Sequence, residues 1–122
     1  MSHQGNRPES LAKLSIINQF HAGLYAEFLG KLKATPDGDG SLLDHSLIMY
    51  GSGLSDSNRH LHENLPIALF GRGDGSIKPG RFISYAKSTP LTNLYITMLT
   101  NAGVKAESIG DSTGKVEQLT GV

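Results

Sequence analysis

The chain has 122 residues, with 11 Lys or Arg balanced by 11 Asp or Glu, so its formal net charge at neutral pH is zero. That balance argues against a nucleic-acid or anionic-membrane partner, which calls for a basic excess or patch, and no apolar run approaches the roughly 20 residues of a membrane span. Cysteine is absent, which removes disulfides and zinc–thiolate sites and leaves His, Asp and Glu as the available metal ligands.

The length accommodates one domain with a small core, so residues 1–122 read as a single α/β domain. Met1 to Arg7 is polar and lacks the apolar stretch of a signal peptide. The expectation is therefore a cytoplasmic protein, or a piece whose export signal lies upstream.

The first element predicted is a helix from Pro8 to Lys33. Leu14, Ile17, His21, Leu24, Tyr25, Phe28 and Leu32 recur at steps of three and four, which makes one apolar face. Pro8 and Glu9 suit a first turn, and Lys31 and Lys33 a last one. Pro36 and the Asp37-Gly-Asp-Gly40 cluster then stop the helix. His21 falls within the apolar face, which predicts a histidine buried in the core or at its edge, or else one reaching a functional loop.

Leu47–Tyr50 and Ile67–Phe70 are short continuous apolar runs. Neither alternates, which is the pattern of strands covered on both faces in a parallel or mixed sheet. Ser76–Ala86 reads as a hairpin turning at Pro79-Gly80. A second helix follows, with Thr89 as N-cap and Pro90 at the first helical position. Its apolar face is Leu91, Leu94, Tyr95, Met98, Leu99 and Ala102, and Gly103 marks its end. The tail from Val104 is polar, punctuated by glycine and expected to be irregular. The predicted fold is α/β, a small mixed sheet with a long N-terminal helix and a C-terminal helix.

The loop between the two apolar runs gathers Asp56, His60, His62 and Glu63. Carboxylate and imidazole suit zinc and other divalent ions, and loops at strand ends are where α/β sheets bind ligands. In an extended segment His60 and His62, two apart, would point the same way. The same residues also fit a polar surface loop with two exposed histidines, and spacing does not decide between the two. Other motifs dissolve on inspection. Asp37-Gly-Asp-Gly-Ser41 opens like a calcium loop, but Leu42 and Ile48 stand where Gly and Glu are needed. Arg72-Gly-Asp74 is a turn, and Gly51-Ser-Gly-Leu-Ser55 lacks the spacing of a nucleophile elbow.

Several segments in order carry a wider likeness: Ser2-His3-Gln4-Gly5, Ile17-Asn-Gln-Phe-His21, Gly38-Asp-Gly-Ser-Leu-Leu-Asp44, Tyr50-Gly-Ser-Gly-Leu-Ser-Asp56, Asn64-Leu-Pro66 and Gly110-Asp-Ser-Thr-Gly114. On these the chain resembles the C-terminal part of the HXXSHH family, bacterial proteins of unknown function that are mostly exported. Ser2 and His3 match part of the motif that names the family, while Gln4 replaces its final histidine and the leading histidine is absent. The resemblance implies that residues 1–122 are the C-terminal portion of a longer, exported protein, and that the isolated chain self-associates or takes a partner chain.

A more distant resemblance joins Ser55-Asp56, Pro66-Ile-Ala-Leu-Phe-Gly71 and Thr89-Pro-Leu-Thr-Asn-Leu-Tyr-Ile-Thr-Met-Leu-Thr-Asn-Ala-Gly103 to the C-terminal part of alkaline phosphatase-like and sulfatase-like enzymes. It implies a metal site in which Asp56 and His62 are ligands, with His60 as a substitute and His21 or His3 nearby. The ion is a divalent metal, zinc or calcium-like, and the reaction class is hydrolysis of a phosphate or sulfate ester. Those enzymes commonly carry His directly after the Asp, where this chain has Ser57, and no nucleophile is identifiable in the chain.

Overall fold

The computed structural model describes residues 3, 5–86, 88–116 and 119. Ser2 and Gln4 of the opening motif therefore lie outside the described residues. The chain is arranged as two compact units, one formed by Met1–Leu42 with Met49–Ala68, the other by Leu43–Ile48 with Leu69–Val122.

The first unit is dominated by helix α1, Pro8–Ala34, with Pro at its start, Glu9 in the first turn and Lys31 and Lys33 in the last. Each favours the helix where it stands: proline lacks only an amide that would be unpaired there, and the charges oppose the helix dipole. An exposed Glu27–Lys31 ion pair of 2.7 Å spans one turn. Thr35 closes the helix, its hydroxyl donating to the Lys31 carbonyl at 2.8 Å and its amide to Leu32. The predicted stop after the helix is itself a minimal hairpin. Strands β1 (Pro36–Asp37) and β2 (Gly40–Ser41) pair antiparallel, with Pro36 opposite Ser41 and Asp37 opposite Gly40.

No residue of α1 is buried. Leu14, Ile17, Tyr25, Leu29 and Leu32 are half-buried, and Tyr25 stacks on Tyr50 with ring centroids 4.4 Å apart. Burial, reinforced by the neighbouring Tyr50, raises the Tyr25 phenol above its ordinary value. His21 is exposed rather than in the core. The apolar arc of α1 is wider than the surface that covers it, and the residue placed by spacing near its middle falls on the uncovered side.

Strands β3 (Leu47–Gly51) and β4 (Ile67–Gly71) form a second two-stranded sheet. The Ser52 amide donates to the Pro66 carbonyl at one end and the Gly73 amide to the Ser46 carbonyl at the other, so the pair runs antiparallel. The predicted mixed sheet is thus replaced, among the described residues, by two antiparallel pairs. Both strands are half-buried or exposed rather than covered on two faces. A continuous apolar run marks a strand but carries no orientation. Gly71 ends β4 with φ +90°, and a Cβ there would run into the Ser46 carbonyl. Only glycine fits that approach without strain.

In the second unit, helix α2 spans Leu91–Asn101. Pro90, not Thr89, is the N-cap residue, because the Thr89 hydroxyl is spent on the Ala86 carbonyl at 2.9 Å. Gly103 ends the helix as expected, at φ +78°, with Val104 donating to Leu99 and Gly103 to Thr100. That bond pair is a Schellman motif. Ile96 is fully buried, and Leu94, Ile77, Val116 and Leu119 complete the core.

The buried side of α2 includes two polar residues absent from its predicted apolar face, Asn93 and Thr97. The Asn93 side chain accepts from the Thr113 amide at 2.8 Å and donates to the Thr113 hydroxyl at 3.1 Å. The Thr97 hydroxyl accepts from the Val116 amide and faces the Val116 carbonyl, both at 3.0 Å. Buried polar groups survive when bonded in this way, and here they pin the irregular tail to the helix.

The predicted hairpin at Ser76–Ala86 does not form. The segment contains no strand, and Phe82 is almost wholly exposed. Pro79-Gly80 does turn, with Gly80 at φ +76°, and Arg81 Nε donates to the Lys78 carbonyl across it at 3.0 Å, but the Lys78 amide and the Arg81 guanidinium go to the Leu119 carbonyl rather than into a strand ladder.

Candidate functional site

The loop after β3 is built by local hydrogen bonds within the first unit. Asp56 and Leu61 form an isolated antiparallel bridge, closed by Leu61 N–H to Asp56 O at 3.0 Å and Ser55 N–H to Leu61 O at 2.9 Å. The Asp56 Oδ1 accepts from the amides of Asn58 and Arg59 at 2.9 and 3.2 Å. Such a bond pattern folds the backbone around the carboxylate. It commits one oxygen of Asp56 to the loop itself and leaves Oδ2 outside those bonds.

His60 sits at φ +53°, a conformation uncommon for a residue with a Cβ. The segment is therefore not extended, and His60 and His62 do not share a partner. His62 Nδ1 lies 3.0 Å from the Gly53 carbonyl. A carbonyl only accepts, so Nδ1 carries the proton, and in the neutral ring Nε2 presents the lone pair. A second bond of this kind is what orients a metal-ligating imidazole.

His60 instead meets His3. Their Nε2 atoms are 3.3 Å apart, and the rings meet edge to face with centroids at 4.8 Å. The Gly5 amide donates to the Asn58 side chain at 3.0 Å, which ties the segment carrying His3 to the same loop. All three histidines are exposed, and Asp56 is half-buried.

Spacing within the loop could not reveal His3, which lies 57 positions from His60. Its one sequence signal is the Ser2-His3 remnant of the family-like motif. Beside Asp56 lies a groove of about 720 Å³, walled by Ser15, Asn18 and Gln19 of α1 and by Ser55, Asp56 and Ser57 of the loop. Among the described residues, no group of three or more His, Cys, Asp or Glu is gathered as a ready metal site.

Comparison with protein-family models, curated proteins and solved structures found no match to this chain. No helix among the described residues is long and apolar enough to cross a membrane.

Proposed function

We propose that the first unit supplies part of a divalent-metal site to an exported protein of the HXXSHH type, on an alkaline phosphatase-like fold that hydrolyses phosphate or sulfate esters. The observation that carries this reading is the 3.3 Å approach of His3 Nε2 to His60 Nε2. Two imidazole nitrogens bound about 2.0–2.1 Å from a tetrahedral zinc ion stand about 3.3–3.4 Å apart. His3 and His60 would hold the ion. His62, with its Nε2 lone pair, and Asp56, through Oδ2, are the next ligands of suitable type. Of the four, His3 joins His60 as a first ligand, where the resemblance implied Asp56 and His62, with His60 as a substitute and His3 only nearby.

A bound ion would polarise the ester and lower the pKa of a coordinated water. The chain's own contribution is positional. The Asp56 turn and the left-handed backbone at His60 set the imidazole against His3, and the groove beside Asp56, part apolar through Leu11 and Leu14, offers the hydroxyl and amide groups of Ser15, Asn18 and Gln19 to ester oxygens.

Calorimetric titration with zinc or cobalt tests the site. His3→Ala and His60→Ala should each weaken binding by about tenfold or more, while His21→Ala leaves it unchanged. Equal metal affinity in wild type and both pair variants would sink the reading.

A non-catalytic exported binding or assembly module is the second reading. Ser57 after Asp56, and the lack of a gathered three-ligand group among the described residues, favour it. A wild-type chain that takes up neither zinc nor cobalt in the same titration would select it.

A further inference from the structure

The exposed face of α1 carries a row of large apolar side chains. Ile16 is 66% exposed, Phe20 63% and Leu24 51%. A helix face this apolar is ordinarily covered. The residues that continue the row at both ends are charged. Glu9 and Lys13 precede it, and Glu27 and Lys31 follow it. The whole row advances in steps of four and three, close to the helical repeat, so it runs nearly straight along the axis for about 33 Å.

This row is self-complementary about Phe20. Ile16 and Leu24 are equidistant from it, as are Lys13 and Glu27, and Glu9 and Lys31. Every such charge pair joins opposite signs. We infer that α1 is the docking surface for a second copy of this chain, with the two helices antiparallel and crossing at Phe20.

In that arrangement the two Phe20 rings meet on the two-fold axis, and each Ile16 packs at the level of Leu24 of the other copy. At both ends Glu9 faces Lys31 and Lys13 faces Glu27 across the interface. A nearly aligned crossing keeps these end charges within reach, as in antiparallel helix bundles. A parallel arrangement would set Glu9 against Glu9 and Lys31 against Lys31, which opposes it. A closed two-fold pair also uses the surface up and does not propagate.

Sedimentation equilibrium of the whole chain, from low to high micromolar concentration, is the first test. Wild type should show a monomer–dimer equilibrium, and Phe20→Glu should abolish it. The charge pattern supplies the sharper arm. Lys13→Glu alone sets like charges together at both ends, and so does Glu27→Lys alone. Each should raise the dimer dissociation constant by about tenfold. Mixing the two single variants should restore wild-type affinity. In a mixed pair the two introduced charges, of opposite sign, face each other at one end, and the native Lys13 and Glu27 still face each other at the other. Circular dichroism confirms that each variant keeps its helix. A wild-type monomer at every concentration would overturn the inference. Mixing without rescue would do the same, and so would single variants that dimerise like wild type, since only antiparallel docking makes each single charge reversal repulsive against the other copy.

Discussion

Helices α1 and α2 show opposite outcomes of similar patterning. The longer, α1, has 27 residues and none buried. The shorter, α2, has 11, of which Asn93, Leu94, Ile96 and Thr97 are buried. Apolar spacing at three and four residues marks both. What separates them is whether the same unit supplies a covering surface. For α2 the tail does so, held by side-chain bonds to Thr113 and Val116. For α1 the half-buried side meets the small hairpin and Tyr50, and the rest of its apolar arc stays open.

The largest effect that would sharpen this contrast is in the core of the second unit. Ile96→Ala should cost about 3 kcal/mol through lost burial and the cavity left behind. Phe20→Ala, at concentrations where the chain is monomeric, should change stability by less than about 0.5 kcal/mol. Urea denaturation followed by tyrosine fluorescence measures both, and equal losses would erase the distinction drawn between the helices.

A smaller effect is expected from Thr97→Val. The volume is kept, but the Val116 amide and carbonyl lose their partner, at a cost of about 2 kcal/mol. A neutral result in the same denaturation series would show that the Thr97–Val116 bonds add nothing to the hold on the tail.

The smallest effect concerns Tyr25, whose phenol ionises above its ordinary value of 10.0 because burial disfavours the anion, with Tyr50 adding to the shift. A group with a raised folded pKa contributes stability that is intact below the unfolded value and lost as pH rises through the folded one. Stability should therefore fall above about pH 10, and Tyr25→Phe should remove that part of the decline. Ultraviolet titration of the phenolate in wild type and variant gives the order of ionisation. A Tyr25 that ionises with the free phenols would contradict the packing described for α1.

Much of this architecture was legible beforehand, and the misses share a cause. Pro8, the three-and-four spacing, and Gly103 mark both helices because these signals act within a few residues. The runs at Leu47 and Ile67 mark strands for the same reason. Their antiparallel sense, the exposed place of His21, and the coil where Ser76–Ala86 was expected to pair all depend on distant partners. Lys78 and Arg81 bond Leu119, and nothing near Pro79 announces it.

The candidate site divides the same way. Asp56, His60 and His62 stand out as a cluster, and the left-handed backbone at His60 keeps the loop from the extended form in which the two histidines would point the same way. The meeting with His3 is a long-range event that spacing within the loop cannot encode.

The interleaving of the two units has a consequence for how the chain matures during synthesis. All segments of the first unit have been made once residue 68 leaves the ribosome, so α1, the small hairpin and the histidine loop can settle early. Leu43–Ile48 belong to the second unit and are made before that point, yet their partners lie in residues 69–122. That short segment must wait for the rest of the chain. A nascent protein paused between these points would hold an ordered histidine loop beside a strand segment still available to the wrong neighbour, which is the interval in which a chaperone would have most to protect.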